Sequence, residues 1–271
     1  IHRIKEKIQS SSDLAKFDNE LEFLEDKLTT FHADVVKKWI KSLHLDIIGF
    51  HGQTIFHNSE EKLSRQLGLG EKLSKLTKKT VIYNFRQNDL KNGGEGAPLA
   101  PIYHKILVKA YKDKRKLKLP VIILNIGGIA NITTINENYK MQSMDIGPGN
   151  CLIDKWIRLN SNKKFDENGN ISRSGKIDKF ILDQALDSFY YNKISKKKSL
   201  DTNDFELSFA RGLTLENGAA TITEFTADIL SKKLLDFDVY VCGGGRKNKF
   251  LLESIKKKIS GNLRIIDSLG I

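Results

Sequence analysis

Residues 14–39 carry apolar side chains at steps of three and four, which predicts one long amphipathic helix. Ser11, Ser12 or Asp13 would cap its N-terminus. We interpret this helix as a scaffold element. Its apolar stripe consists of Leu14, Phe17, Leu21, Leu24, Leu28, Phe31, Val35 and Trp39.

Short apolar runs follow this helix, and each of them leads into a polar segment. Residues 45–50 predict a buried strand that ends at the His-Gly-Gln-Thr sequence of residues 51–54, and residues 80–85 predict a second strand that leads into Arg86. After Pro98 the pattern becomes helical. The apolar face of that helix consists of Ile102, Tyr103, Ile106, Leu107 and Ala110. Strands, polar loops and helices alternate, so the fold class is α/β.

A domain boundary is predicted near Pro120, where the composition changes abruptly. Residues 111–118 are almost wholly charged, and a continuous apolar run follows the proline. We therefore predict a first α/β domain at residues 1–120 and a second at residues 121–271.

The second half of the chain contains two glycine-rich turns next to strands. Apolar runs at residues 121–126 and 129–135 flank Gly127-Gly128, which predicts a β-hairpin. Residues 239–242 predict a further strand. It is followed by a turn at residues 243–245 and by the buried side of a helix.

The formal net charge of +12 over 271 residues raises the question of nucleic-acid binding. The lysines are spread along the chain with few interleaved aromatic residues, and no nucleic-acid-binding module matches. We interpret the charge as a lysine-rich solvated surface whose field also favours an anionic ligand such as a nucleotide. A nucleic-acid binder is the weakest alternative, and it would require steeply salt-dependent binding to DNA.

The two cysteines, Cys151 and Cys242, are too few for a disulfide framework and lack metal-ligand spacing. This usage indicates a reducing compartment, and we predict the cytoplasm. No apolar run reaches the roughly 20 residues that a transmembrane helix requires, so we predict no membrane partner.

Both glycine turns are candidates for binding phosphate. In the first turn, Gly127 and Gly128 let backbone N–H groups approach an anion without an intervening Cβ, and Asn131 adds a side-chain donor. In the second, three glycines between a strand and a helix start suit an anion or a nucleotide, although their spacing differs from that of a Walker A loop. The alternatives are a simple chain reversal for the first turn and close strand–helix packing for the second.

Asp145 lies in the sequence MDIGPGN, residues 144–150, directly before a Gly-Pro-Gly turn. This position predicts a carboxylate at the end of a strand, near the N-terminus of the next helix. Asn150 is better placed to cap that helix, which leaves Asp145 for another role. A carboxylate beside a phosphate site is unfavourable unless it binds metal or accepts a proton. We therefore predict a general base beside a phosphoryl donor.

The polar residues of the first half form a candidate acceptor site. His51, Gln53 and Thr54 supply hydrogen-bonding groups, and Arg86 is a fixed cation suited to a ligand carboxylate. Taken singly, a structural histidine and a surface ion pair are the simpler explanations.

Five stretches of the chain resemble the anhydro-N-acetylmuramic acid kinase family of the sugar kinase, Hsp70 and actin superfamily. They occur in the order of the family and cover the chain from about its first strand to its end. They are GFHGQTIFHN at 49–58, NFRQNDLKNGGEGAPLAPIYH at 84–104, LNIGGIANIT at 124–133, MDIGPGNCLID at 144–154 and CGGGRKN at 242–248.

The resemblance implies two ribonuclease H-like α/β domains, the actin-like ATPase fold, closing over a central cleft that takes ATP with Mg²⁺. Such enzymes use water to open the 1,6-anhydro bond of a murein-derived amino sugar and phosphorylate O6. The product is N-acetylmuramic acid 6-phosphate, an intermediate of cell-wall recycling. In this scheme Asp145 matches the base that activates the water.

The resemblance also implies which residues contact the ligands, and it suggests a homodimer. The residues facing the phosphates and nucleotide would be Gly127, Gly128, Asn131, Gly243, Gly244, Gly245 and Asn248. The residues bordering the sugar would be His51, Gln53, Thr54, Arg86 and Asp89. The metal ligands are not identified.

The chain also departs from the family pattern. The initial strand with its G-T-S-x-D-G phosphate loop and the final helix are not found, so we expect a chain truncated at both ends. Asn84 replaces the usual aspartate and Glu95 the usual glutamine. Two alternatives therefore stay open. One is another sugar kinase or ATPase of the superfamily, and the other is a non-catalytic sugar-binding fragment.

Overall fold

The computed structural model describes residues 1–8, 10–115, 117–191, 200 and 202–269. The chain forms two compact units, Ile1–Leu99 and Ala100–Ile271. This division lies earlier than the predicted boundary near Pro120. The reason is that the helix before this proline packs on the sheet of the second unit.

The first unit combines a parallel strand pair, an antiparallel hairpin and several helices. β1 pairs with β4 in parallel, and β2 pairs with β3 antiparallel. The elements are α1 His2–Lys5, α2 Ser11–Lys16, α3 Asp18–Ile40, β1 Ile47–Phe50, β2 Gln53–Asn58, β3 Leu63–Leu67, α4 Gly70–Thr77, β4 Thr80–Tyr83 and α5 Phe85–Lys91.

The predicted single helix is two helices, because the chain leaves helical geometry at Phe17 (φ −117°, ψ 12°). Ser10, rather than the predicted Ser11, Ser12 or Asp13, is the N-cap residue of α2. The carboxylate of Asp13 accepts hydrogen bonds from the backbone N–H of Ser10 at 3.0 Å and from the Ser10 hydroxyl at 2.8 Å. The predicted stripe is also wrong at Phe31 and Trp39, which are 65% and 60% exposed. The buried line of α3 instead includes two polar side chains and consists of Leu21, Glu25, Thr29 and Ala33.

The second unit is built on one five-stranded sheet in the order β7-β6-β5-β8-β9. The first three strands are antiparallel, and β8 and β9 run parallel to β5. This order is that of a ribonuclease H-like sheet, which confirms the predicted fold class and hairpin. The elements are α6 Ala100–Arg115, β5 Val121–Ile126, β6 Ile129–Ile135, β7 Met141–Pro148, α7 Cys151–Asn160, α8 Asn170–Ser174, α9 Lys179–Tyr191, α10 Leu215–Ser231, β8 Asp238–Cys242, α11 Lys249–Lys256 and β9 Leu263–Ile265.

Helices cover both faces of this sheet. One face packs against α7, α9, α10 and α11, and α6 packs against the other, where Leu107 and Val108 contact Val121, Ile123 and Ile135. Continuous apolar strands are expected when both faces are buried. In the described ranges, no helix combines the length and apolar character needed to span a membrane.

The predicted apolar face of α6 is wrong at four of its five positions, because Ala110 is exposed together with Ile102, Tyr103 and Ile106. Ile102, Tyr103 and Ile106 are 48%, 52% and 59% exposed. The buried face instead includes His104, whose Nδ1 lies 2.8 Å from Oγ1 of the buried Thr133 on β6. Burial lowers the pKa of His104, so the helix packs against the sheet through a neutral polar pair.

Candidate active site

Three glycine turns of the second unit meet at the ends of β5, β7 and β8. The carbonyl of Gly127 accepts a hydrogen bond from the backbone N–H of Asn150 at 2.8 Å, and that of Gly128 accepts one from the N–H of Gly149 at 2.9 Å. A Cβ on Gly149 would lie 2.3 Å from the Gly127 oxygen. Glycine is therefore required where the hairpin touches the start of α7.

Asn150 occupies the N-cap position of α7, but its side chain does not cap the helix. Its Nδ2 donates instead to the carbonyl of Gly127 at 3.2 Å. The predicted capping role is wrong, because the close approach of the hairpin turn supplies a nearer acceptor. Asn150 thus ties the Gly-Pro-Gly turn before α7 to the Gly127–Gly128 turn, which was predicted to bind phosphate.

The three glycines after β8 have different surroundings. Gly243 has a φ of +78°, and a Cβ there would lie 2.4 Å from Oδ1 of Asn125. A Cβ on Gly245 would lie 2.3 Å from Cγ2 of Ile126. Gly244 is exposed, and its Cβ would meet no heavy atom within 4 Å. Close packing thus accounts for Gly243 and Gly245, whereas Gly244 faces open space.

Asn248, a predicted nucleotide contact, caps α11. Its Oδ1 accepts a hydrogen bond from the N–H of Leu251 at 3.0 Å, and the residue is 6% exposed. This oxygen also lies 2.3 Å from where a Cβ on Gly169 would be. Asn248 therefore has a structural role that the sequence analysis did not assign.

Polar residues form one row across four neighbouring strands. Cys242 pairs with Asn125, Asn125 with Asn131, and Asn131 with Asp145. Directly paired residues share a face of the sheet. Asn125 was not among the predicted site residues. A polar residue at the end of the apolar run 121–126, opposite a second asparagine, is the signal that could have identified it.

Asp145 lies inside β7 rather than after its end. The pairing with β6 is irregular at this point, because Asn131 pairs with Asp145 whereas Ala130 pairs with Gly147. Bulges of this kind often re-aim side chains near active sites. The half-buried carboxylate accepts a hydrogen bond on Oδ2 from the N–H of Leu200 at 2.9 Å, and Thr202 approaches Gly128 in the same region.

The two thiols near these turns are poor nucleophiles. Burial raises the pKa of Cys151 to about 11. Burial also raises the pKa of Cys242, whose Sγ lies 3.8 Å from Oδ1 of Asn125. Because the thiolate is the reactive form, burial makes both groups less reactive at neutral pH than an exposed cysteine.

The first unit brings His51 and Arg86 into contact. Nε of Arg86 donates to Nε2 of His51 at 3.1 Å, and Nδ1 of His51 lies 3.0 Å from the carbonyl of Gly52. A carbonyl only accepts and a guanidinium only donates. The imidazole in this arrangement is therefore neutral, with its hydrogen on Nδ1.

Arg86 is a cation without a carboxylate ion-pair partner among the residues that the structure describes. Burial lowers its pKa, but a guanidinium stays charged at neutral pH. Burial, and then the charge of Arg86, lower the pKa of the nearby His57. Arg86 therefore presents a positive charge that no described carboxylate pairs with, which suits an anionic group.

Asp89 organises the glycine-rich loop that follows α5. Its Oδ2 accepts a hydrogen bond from the N–H of Gly96 at 2.8 Å, and a Cβ on Gly94 would overlap the carboxylate. Gln53 is exposed and makes a long contact, 3.4 Å, with the carbonyl of Thr54. Asp89 thus supports the loop, whereas the side chain of Gln53 is only weakly held.

Carboxylates, imidazoles and thiols are common metal ligands in proteins. Within the described part of the chain, no group of three such side chains is arranged to hold an ion.

The chain was compared with known proteins. The family model described as anhydro-N-acetylmuramic acid kinase matches residues 2–270. The chain is 48% identical to the anhydro-N-acetylmuramic acid kinase of Pelagibacter ubique over 99% of its own length and 74% of that protein. It is 35% identical to that of Methylobacterium nodulans over 91% and 67%, and 32% identical to that of Acidiphilium cryptum over 99% and 74%.

Among solved structures, the chain is similar to an activator of 2-hydroxyisocaproyl-CoA dehydratase from Clostridium difficile with bound ADPNP. The sequences are 14% identical, the match covers 73% of each chain, and the TM-score is 0.40. This likeness is too low to bear on function.

Proposed function

This chain belongs to the anhydro-N-acetylmuramic acid kinase family, and we propose that it opens 1,6-anhydro-N-acetylmuramic acid with water while phosphorylating O6. It is a phosphotransferase that uses ATP. The family match over residues 2–270 favours this function over another kinase of the superfamily and over a non-catalytic sugar-binding fragment.

Asp145 is the proposed general base. It takes a proton from water as the water oxygen forms a bond to C1 of the sugar. The bond between C1 and O6 breaks, O6 receives the γ-phosphoryl group, and ADP leaves. The single observation that carries this role is the half-buried carboxylate next to a strand irregularity, oriented by the N–H of Leu200. Such orientation is what general-base catalysis requires.

The glycine turns are the proposed nucleotide site. Gly128 and Gly244 are exposed, so their backbone can approach phosphate oxygens closely. Gly127, Gly149, Gly243 and Gly245 let the three turns pack against one another. Asn131 lies beside Asp145 and adds an amide donor, and Asn248 supports the site by capping α11. Mg²⁺ bound with ATP would neutralise phosphate charge.

The first unit supplies the proposed sugar contacts. Muramic acid carries a lactyl carboxylate, and Arg86 is a guanidinium that no described carboxylate neutralises. Charge-assisted hydrogen bonds of this type are about twice as strong as neutral ones. His51, Gln53 and Thr54 would bind sugar hydroxyl and amide groups, and Asp89 would act through the loop that contains Gly96.

Turnover of the anhydro sugar tests this function directly. We expect ADP release from Mg-ATP that depends on the sugar, and one ¹⁸O atom at C1 when the reaction runs in labelled water. Asp145→Asn keeps an oxygen that can accept from Leu200, but it removes the base. We expect kcat to fall by about 10²-fold or more with the KM for ATP little changed.

Other outcomes would contradict the proposal. ADP release at the same rate without sugar would favour an ATPase, and label retained in water would exclude hydrolytic opening. A wild-type chain without turnover would refute kinase activity for this chain. We further propose that the protein is cytoplasmic and forms a homodimer. Light scattering of the purified protein tests the homodimer.

A further inference from the structure

Glu25 is a buried carboxylate outside the predicted site. It lies on α3, is 5% exposed, and forms a bidentate ion pair with Arg65 of β3. Nη1 of Arg65 lies 2.9 Å from Oε1, and Nη2 lies 2.6 Å from Oε2. Burial alone would raise the pKa of Glu25, but hydrogen bonds from Arg65 and the N–H of Gly68 outweigh it and lower the pKa. The carboxylate is thus held in its charged form.

Glu25 and Thr29 also bind the backbone where β3 ends. Oε1 of Glu25 accepts a hydrogen bond from the N–H of Gly68 at 2.7 Å, and Oγ1 of Thr29 accepts one from the N–H of Leu69 at 3.0 Å. The Thr29 hydroxyl donates to the carbonyl of Glu25 at 2.7 Å. Two consecutive amides of the chain are therefore fixed to α3.

This strand end is packed tightly against the loop that contains His51. A Cβ on Gly52 would lie 2.3 Å from the carbonyl oxygen of Leu67. A Cβ on Gly68 would lie 2.7 Å from the ring of Phe50 and 3.3 Å from Cα of Gly52. With so little space between the two segments, a shift of Leu67 and Gly68 would press on the backbone of Gly52 and on the ring of Phe50, the two neighbours of His51 in the chain.

We propose that Glu25, held by Arg65, is a positioning residue for the sugar site, an inference that rests on the proposed function. Its carboxylate fixes Gly68, Gly68 and Leu67 fix Gly52, and the backbone at Gly52 orients the imidazole that accepts from Arg86. Glu25 contacts none of the predicted sugar residues itself.

Two variants separate positioning from stability. Glu25→Gln keeps an acceptor oxygen for Gly68 but leaves the Arg65 charge unpaired, which destabilises the fold. The double variant Glu25→Leu/Arg65→Met replaces a buried ion pair by apolar residues, an exchange that is often neutral for stability, but it leaves the Gly68 N–H without its acceptor. Ile8→Ala is a control that removes apolar contacts from a core cluster of the first unit but leaves the hydrogen bonds of Glu25, Arg65 and Gly68 in place.

We expect the ranking of the three variants by loss of stability to differ from their ranking by loss of sugar binding. The KM for the anhydro sugar should rise roughly tenfold in the double variant and stay within about threefold of wild type in Glu25→Gln and Ile8→Ala. The KM for ATP should stay the same in all three. If the KM for the sugar follows the loss of stability instead, Glu25 is merely structural.

Hydrogen exchange measures how firmly the loop at residues 50–54 is held, and it does not require turnover of the sugar. Amides of residues 50–54 should exchange faster in the double variant than in wild type or Ile8→Ala. Unchanged exchange in the double variant would overturn the inference. If wild type fails to turn over the sugar, the proposed function is refuted, and the exchange rates alone decide whether Glu25 positions this loop.

Discussion

Adding one methyl group at Gly244 distinguishes a glycine that a ligand requires from one that the fold requires. In Gly244→Ala the new Cβ meets no protein atom within 4 Å, and its φ lies outside the left-handed region. The fold should therefore tolerate it, and reduced freedom of the unfolded chain can add about 0.4–1 kcal/mol of stability. If nucleotide lies over this turn, the methyl group occupies space that the ligand needs. We then expect the KM for ATP to rise at least tenfold, or about 1.4 kcal/mol.

Gly245→Ala is the matched control. Its Cβ would lie 2.3 Å from Cγ2 of Ile126, well inside van der Waals contact, so the core must shift. Overpacking of this kind costs about 1–3 kcal/mol, which corresponds to a drop in Tm of roughly 2–12 °C in a chain of this size. Loss of ATP binding in this variant would accompany loss of stability.

Thermal unfolding and steady-state ADP release measure both effects on the same preparations. We expect Gly244→Ala to keep the Tm of wild type while its KM for ATP rises and its KM for the sugar does not. A Gly244→Ala variant with an unchanged KM for ATP would refute nucleotide binding at this turn. If the Tm of Gly244→Ala falls as far as that of Gly245→Ala, the methyl group at residue 244 does meet other protein atoms, which would refute the open space seen at this position.

Three further predictions follow from the electrostatics. The pKa of Glu25 is lowered in the fold. The stabilisation by its charge is therefore complete above the unfolded pKa of about 4.3 and is lost as the pH falls through the lower folded pKa. The free energy of unfolding, measured with urea from pH 7 to 3, should thus fall less steeply with decreasing pH in Glu25→Gln than in wild type. Arg86→Gln should raise the KM for the anhydro sugar tenfold or more, by removing a charge-assisted bond worth about 1.5–3 kcal/mol, whereas a sugar that lacks the lactyl group should bind wild type and variant alike. Because the pKa of Cys151 is about 11, a maleimide should label this thiol in the native protein more slowly at pH 7 than in urea, and equal rates would contradict its burial.

The sheet of the second unit was predictable because its strands obey simple patterns. β5 is a continuous apolar run that is buried on both faces, and a glycine pair separates it from β6. The alternation of strands and helices was enough to assign the α/β class. The domain boundary was predicted too late because it rested on a change in composition, whereas the packing of α6 on the sheet sets the division.

The candidate site was predicted only as far as local motifs reach. The pattern of a strand, three glycines and a helix start identified the turn at Gly243, Gly244 and Gly245, but three identical residues have three different surroundings, which depend on Asn125 and Ile126 of another strand. Asn150 was assigned to the helix that follows it, yet its amide binds a turn more than twenty residues away along the chain. Contacts of this kind cannot be read from local spacing.

The errors in the helices share one physical cause, which is the burial of polar side chains. A stripe of apolar residues locates a buried face only if polar residues avoid the core. α3 buries Glu25 and Thr29, and α6 buries His104, so the apolar pattern departs from the true contact face at Phe31 and Trp39 in α3 and at four of five positions in α6. Each of these side chains is satisfied by a partner far along the chain, Arg65, Leu69 or Thr133. Such groups are expensive to bury without a partner, and a fold retains them where a fixed geometry compensates. Glu25 is such a buried group, and it lies beside the loop of the proposed sugar site. A buried polar residue that the apolar pattern missed therefore indicates where the fold must hold a fixed geometry for function.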